Sequence, residues 1–507
     1  MPWPTLPIEN LPAWAYLNDV SFHNAQVTNI KGKGYGVVCS KDLEATDGTA
    51  DVPALLTVPH DLVLNAAAVD EYAKEDKSFR QLLDTVGHHV TKRNPSPCTT
   101  PPSYRTIGPE LTTLQSARAD VLLFLLVQTV LASRSGHSPV GVKNPWTEYL
   151  QFLPETVLVP TLWTEDERHL LRGTSLEAAV NAKISALDAE FALIREKSSD
   201  ITCWFALLWE HGSVSFTDWI RLDALYRSRC LELPRSGESM VPCIDMLNHS
   251  AAPSAYYEES PKDEVVLLPR PGVRVAQGDE ITISYGEAKS AAEMLFSYGF
   301  IDRASTADGL VLPLSPFPDD PLAKAKLVAF GEAPKIHVAR DDGRDGPIRW
   351  RSAFAYLMCV NEEDGLEFRV LQQTDGGRQL RVFWQDEDVT DRTSAFETLL
   401  RDHPLSALFG LRVATVVQEC LQTQLERMQS TAPPDAASGE LREDCYRAAL
   451  LLREIEMDIL ERAIEALEEE RSSLLTDKNV VAYLGLKEPA ESGLAGEEAS
   501  NEPDDFS

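Results

Sequence analysis

The sequence predicts an α+β protein: a β-rich domain split by a helical insertion, then a mostly helical C-terminal domain. Three observations predict it. Short β-prone runs broken by turns fill residues 25–65, helical periodicity takes over from about 66 to 226, and strand character returns after Glu238. A proline-rich stretch, Leu312-Pro-Leu-Ser-Pro-Phe-Pro-Asp-Asp-Pro321, then separates this region from residues 322–485, which read as mostly helical. A chain of 507 residues also exceeds what one core usually serves, so at least two domains are expected.

Residues 1–24 read as a capping segment with scattered aromatics (Trp3, Trp14, Tyr16, Phe22). The first domain then spans 25–305. It opens with Ala25-Gln-Val-Thr-Asn-Ile30, a glycine-rich hairpin from Gly32, and Ala54-Leu-Leu-Thr-Val-Pro59. In the insertion, Leu111, Leu114, Ala117, Val121 and Leu125 share one helical stripe, and residues 92–109, with five prolines, read as a loop. The apolar run Val121 to Leu131 is interrupted by Gln128 and Thr129 and is too short to span a bilayer, so it is expected to be a buried helix. Strands are expected at Tyr256-Tyr257, Glu264-Val-Val-Leu-Leu268, Gly272-Val-Arg-Val275 and Ile281 to Tyr285. Residues 306–321 read as a linker. In the helical domain, Arg340 to Pro347 reads as loop. Leu452, Ile455, Ile459 and Ala463 form an apolar stripe on a long helix whose reverse face, rich in Glu and Arg, reads as solvated. Residues 486–507 are expected to be a disordered acidic tail.

Lys plus Arg total 47 against 79 Asp plus Glu, a net charge of −32. This argues against nucleic acid as a partner, since phosphate binding needs clustered cations. It suits a basic protein partner, although solubility alone accounts for much of such an excess. Eight cysteines, at 39, 98, 203, 230, 243, 359, 420 and 445, form no CxxC pair, so no metal site or redox motif is indicated. Reduced thiols and the lack of a secretory signal lead to the expectation of a cytoplasmic or nuclear protein, without a membrane partner and monomeric.

Two stretches carry the chemistry. Val241-Pro-Cys-Ile-Asp-Met-Leu-Asn-His-Ser250 runs from an apolar segment into Asn248, His249 and Ser250. Gly278-Asp-Glu-Ile-Thr-Ile-Ser-Tyr-Gly286 reads as a turn, an alternating strand and a glycine. Together they can converge an amide, an imidazole and a phenol without lysine, thiol or metal ligand. That set suits holding a cationic cofactor and steering a transfer more than hydrolysis. Asn-His-Ser followed by a tyrosine-glycine strand resembles the signature of SET-domain methyltransferases. Gly32-Lys-Gly-Tyr-Gly-Val-Val-Cys-Ser-Lys-Asp-Leu43 is similar to their opening hairpin. Trp146-Thr-Glu-Tyr-Leu-Gln-Phe-Leu-Pro-Glu155, Leu162-Trp-Thr-Glu-Asp-Glu167 and Leu170-Leu-Arg-Gly-Thr174 resemble the insertion of one branch. That branch contains the Rubisco large-subunit lysine methyltransferase, fungal ribosomal-protein lysine methyltransferases and the actin histidine methyltransferase. The match covers most of residues 25–305, and the helical C-terminal domain resembles the branch's substrate-holding domain by order and helicity.

The resemblance implies S-adenosylmethionine as cofactor and assigns roles. Tyr285 is the catalytic tyrosine beside the transferring methyl group and a cofactor contact. Asn248 bonds the methionine end of the cofactor, and the His249 backbone lies near its adenine. Arg229, in Tyr226-Arg-Ser-Arg-Cys-Leu231, matches an arginine near the cofactor carboxylate, with Arg227 as a neighbouring candidate and a surface role as the bland alternative. Gly34, Tyr35 and Gly36 belong to the cofactor-facing hairpin, or to a plain turn. Tyr298 lines the target channel or simply packs in the core. Leu231 occupies the position where the histidine-specific enzyme has asparagine, and it offers no hydrogen bond to an imidazole.

The expected function is therefore protein-lysine N-methylation of a non-histone, ribosomal or translation-related target. Histidine methylation and a catalytically silent SET-derived binding module are the alternatives. A lysine amine is almost fully protonated at neutral pH, so such a site must desolvate it and let a proton leave. No Gly-x-Ser-x-Gly elbow supports a hydrolase.

Overall fold

The computed structural model describes residues 3–44, 53–86, 117–134, 140–210, 214–304, 309–340, 346–372, 378–431, 433 and 441–485. The proline-rich loop at 92–109, Leu111, Leu114, Cys98 and the acidic segment 486–507 lie outside them. The class is α+β, with several small sheets and many helices. The chain divides into two compact units. One is built from residues 1–311, 337–349 and 424–460; the other from 312–336, 350–423 and 461 onward.

In the first unit the sheet that positions the site has the order Ala25–Ile30, Gly34–Cys39, Glu280–Ile283, Asn248–His249. Its first two pairings are antiparallel, with Val27 opposite Val37 and Ile281 opposite Val37. The last is parallel, with Thr282 beside Asn248 and Ile283 beside His249. Val37, Ile281 and Ile283 are buried and tie this sheet to the core. A second four-stranded sheet orders Ser21–Phe22, Leu56–Pro59, Glu264–Pro269 and Ala255–Ser260. Cys230–Leu233 and Gly237–Met240 form a separate hairpin directly after helix Phe216–Arg229.

The insertion supplies helices Ala66–Glu75, Lys77–Val86, Ala117–Ser133, Leu176–Ser198 and Phe216–Arg229. Helix Ala117–Ser133 is buried on all sides from Val121 to Leu131, as its almost wholly apolar sequence requires. Its two polar interruptions are satisfied: Thr129 Oγ1 donates to the Leu125 carbonyl at 2.7 Å, and Gln128 Nε2 donates to Val142 O at 3.3 Å. The N-terminal cap is anchored by aromatics, Trp14 Nε1 donating to Pro145 O at 3.1 Å.

Two sequence expectations are corrected here. The linker read at 306–321 contains a strand, Gly309–Pro313, whose Leu310 and Leu312 are buried; its proline at the strand end masked a short apolar alternation. The helical reading of 322–485 misses strands Lys335–Arg340, Ile348–Arg351, Leu366–Gln372, Arg378–Trp384 and Glu387–Asp388. In Leu366–Gln372 and Arg378–Trp384 the period-2 pattern is present, but interleaved Arg, Glu and Gln gave it the polarity of helix surface. Arg340 is thus a strand end, and residues 341–345 of the expected loop lie outside the described set.

In helix Glu443–Leu475, Leu452, Ile459 and Ala463 are buried as its stripe requires, and Glu456, one turn on from Leu452 on that same face, is buried with them, as is the flanking Arg453. Arg453 donates to the Arg172 and Thr431 carbonyls at 2.5 and 2.6 Å. Glu456 accepts from the Ser175 backbone N–H at 3.0 Å and from its hydroxyl at 2.5 Å. Burial pushes the Glu456 carboxyl up to about 7, against the opposing pull of the Ser175 bonds and Arg453. An acid raised above its unfolded value of roughly 4.3 stabilises the fold below that value and loses this contribution as pH rises through about 7. Glu456→Gln should therefore flatten the fall of melting temperature between about pH 5 and 8. Equal slopes in the two proteins would remove Glu456 from the account.

Candidate active site

The Cys230–Leu233 hairpin, the Ile244–Leu247 turn and the segment from Ile283 to Tyr298 enclose a cavity of about 360 Å³. Arg229, Leu231, Tyr285 and Tyr298 all line it, with Tyr257, Asp245, Glu232, Glu238 and Lys289. The Tyr285 and Tyr298 rings lie 4.6 Å apart, and Tyr298 Oη donates to the Tyr285 carbonyl at 3.3 Å. Tyr285 Oη donates to Leu247 O at 2.7 Å, which aims the hydroxyl along the end of the Asn-His strand. Burial pushes the Tyr285 phenol up to about 12, so it is neutral at physiological pH and acts as a hydrogen-bonding group, not a phenolate base.

His249 holds Tyr285 from behind. Its Nδ1 accepts the Tyr285 backbone N–H at 3.0 Å, while Nε2 faces Asp302 Oδ2 at 3.3 Å. This bonding assigns the Nε2–H tautomer. Burial lowers the imidazole pKa against the opposing pull of Asp302, so the ring is kept neutral. Phe300 closes the aromatic group, 6.1 Å from His249 and 6.3 Å from Tyr285.

Asn248 and His249 do not line the cavity; they stand on the neighbouring strand. Asn248 Nδ2 donates to Glu280 Oε1 at 2.7 Å, and Lys33 reaches the same carboxylate at 2.6 Å. Gly36 abuts this group: a Cβ there would stand 2.7 Å from both Asn248 Nδ2 and Ile30 Cγ1. That close approach is why glycine is needed at 36. Gly34, with φ of 81°, and Tyr35 lie at the hairpin turn, paired with Ile30 and Asn29 and away from the tyrosine cavity.

Arg229 is a half-buried residue and not the surface arginine of the bland reading. It donates to Asp245 O at 2.8 Å and lies 3.5 Å from Asp245 Oδ2, while its Nε is buried without a hydrogen-bond partner. Arg227 has a different task, bonding Thr161 Oγ1 at 3.0 Å and pairing with Asp223 at 3.3 Å. Sequence reading missed the support of Asp245, whose Oδ1 accepts the Tyr149 hydroxyl; Tyr149 Oη in turn accepts the Cys243 N–H at 2.7 Å. This bond holds Cys243 at φ of 67°, the bend that turns the apolar run toward Asn248. Asp302, Phe300, Tyr257 and Glu238 were also missed, because nothing local marks them. Among the described residues, no group of three or more His, Cys, Asp or Glu side chains could hold a metal ion.

A sheet that brings Asn-His beside a tyrosine-ended strand through a bent loop defines the SET fold. The SET domain of the Rubisco methyltransferase, solved with lysine and S-adenosylhomocysteine, superposes with a TM-score of 0.65 at 19% identity, over 94% of this chain and 96% of that one. SET domain-containing protein 8 of Schizosaccharomyces pombe is 28% identical over 350 residues, 67% of this chain and 75% of its own length. The actin-histidine N-methyltransferase of Gallus gallus is 24% identical over 311 residues, 55% of this chain and 50% of its own length. No protein-family model matches. The chain shares the SET fold of the Rubisco methyltransferase, and its sequence is similar to SET-domain proteins that include the Rubisco and actin-histidine enzymes.

Proposed function

We propose that this protein is an S-adenosylmethionine-dependent protein-lysine N-methyltransferase acting on a non-histone protein, with ribosomal and translation proteins the first targets to test. The observation that carries this reading is the convergence of Tyr285, Tyr298, Arg229 and Leu231 on one cavity. The residues beside it fit the cofactor: Gly36 lets Asn248 stand close against the hairpin backbone, and the buried Arg229 Nε has a donor to spare. Asn248 and Arg229 would hold its amino-acid end, and the hairpin with Gly34, Tyr35 and Gly36 would pack along it. When bound, the sulfonium supplies an activated methyl group. The chain's own part is to orient and desolvate the amine. Tyr285 Oη and the Leu247 carbonyl offer it fixed polar partners, and the Tyr298 ring, packed near Tyr285 in the cavity wall, limits water.

Histidine methylation is the second reading, favoured by the actin-histidine relatives. Leu231, which is buried in the cavity wall, supports lysine because it cannot bond an imidazole. The same proposal places the substrate protein on the C-terminal region, 322–485, and has the enzyme monomeric, in cytoplasm or nucleus, with a basic target.

The test is radiolabel transfer from tritiated S-adenosylmethionine into a lysate lacking this protein, followed by amino-acid analysis. Labelled methyl-lysine supports the reading; labelled methyl-histidine replaces it with the second; cofactor binding without labelling turns it toward a binding module. Asn248→Ala should weaken cofactor binding about tenfold by calorimetry, the scale of one or two lost hydrogen bonds. Unchanged affinity would detach Asn248 from the cofactor.

A further inference from the structure

The hairpin after Arg229 carries an arrangement that folding alone does not favour. Glu232 and Glu238 are directly opposite each other across its two antiparallel strands. Like charges in that register cost stability. Both side chains line the cavity that holds Tyr285 and Tyr298. Glu238 accepts a hydrogen bond from Tyr226, but neither carboxylate is ion-paired with any of the three cations that line the same cavity. Arg227 is engaged by Asp223, Arg229 by Asp245, and Lys289 lies over the Tyr298 ring at 5.6 Å.

We infer that Glu238 and Glu232 are specificity residues that capture the ammonium group of the target lysine as it enters the cavity. The inference rests on the lysine reading above and gives its pocket a recognition element. An ammonium offers three donors and a full positive charge, and the carboxylate pair, exposed at the cavity wall, supplies acceptors of opposite charge. A neutral imidazole would gain much less there, so the pair separates lysine from histidine by charge, independently of Leu231. Capture must not trap the amine in its charged form. Burial, then Glu232, raises the Glu238 carboxyl above its ordinary range. It can therefore take the proton that the amine sheds, an N–H bond giving way to an O–H bond, and release it to solvent.

The experiment compares two probes, Nα-acetyl-lysine amide and its neutral counterpart Nα-acetyl-norleucine amide. Each is titrated by calorimetry into wild type, Glu238→Gln and the Glu232→Gln/Glu238→Gln double variant, with and without S-adenosylhomocysteine. Wild type should prefer the lysine probe, and the double variant should lose about tenfold of that affinity while norleucine binding stays unchanged. Its melting temperature should hold or rise, because a like-charge pair has been removed. A lysine probe bound no better than norleucine, or bound equally by the double variant, overturns the inference. Failure of S-adenosylhomocysteine to bind wild type strikes instead at the methyltransferase reading, and the probe comparison still decides the role of the acid pair.

Discussion

Tyr285→Phe should lower methyl transfer by about 10²-fold while leaving cofactor affinity nearly unchanged, the cost of removing one preorganised polar group. The aromatic ring is retained, so its packing 4.6 Å from Tyr298 and 5.3 Å from His249 survives. The backbone bond to His249 survives too, since it uses the amide. What goes is the hydroxyl on Leu247 O, the polar partner of the incoming amine. Because the phenol is held near 12, the wild-type rate should show no inflection from Tyr285 between about pH 6 and 9. Initial rates of tritium transfer, paired with calorimetry of S-adenosylmethionine, measure both. Full activity in the phenylalanine variant would end the catalytic assignment.

Asp223→Asn should be the most damaging change in the helical insertion. The carboxylate is completely buried and receives Arg118 at 2.6 Å, Lys183 at 2.9 Å and Arg227 at 3.3 Å. Burial alone would push its pKa up, but Lys183, Arg227 and Arg118 outweigh that and hold it below the ordinary value. Asparagine keeps the shape and removes the charge, leaving Lys183 and Arg227 around a neutral amide while Arg118 keeps its pair with Glu190. Breaking such a buried pair costs about 3–5 kcal/mol. Denaturant unfolding should register that loss, and a change below about 1 kcal/mol would show the cations to be solvated after all. The sign with pH also follows. A depressed carboxyl stabilises the fold above its unfolded pKa and loses this as pH falls through the folded one. Wild type should therefore lose stability in acid, and the variant should have less of that particular stability to lose.

The legible parts of this protein were those with local signals. Helix Ala117–Ser133 announced itself by an apolar run interrupted only at Gln128 and Thr129, and Asn248, His249 and Tyr285 by short motifs of unusual composition. What the sequence hid depends on distant partners. Asp245 matters because Tyr149, from the insertion, donates to it, and Glu456 is buried because Ser175 meets it. Neither pairing leaves a periodicity on either segment. Leu366–Gln372 was missed for a different reason: both faces carry polar residues, so its alternation resembled a solvated helix surface.

Strand Glu280–Ile283 lies between Gly34–Cys39 and Asn248–His249. During synthesis, the glycine hairpin emerges long before the strand that will cover its edge. Until residue 283 has left the ribosome, Gly34–Cys39 presents unpaired backbone and the apolar side chains of Val37 and Val38, a template for wrong pairing. The whole insertion is translated in that interval. Chaperone demand should therefore be greatest for chains stalled within the insertion, and a protein truncated before Glu280 should aggregate instead of yielding an inactive but folded domain.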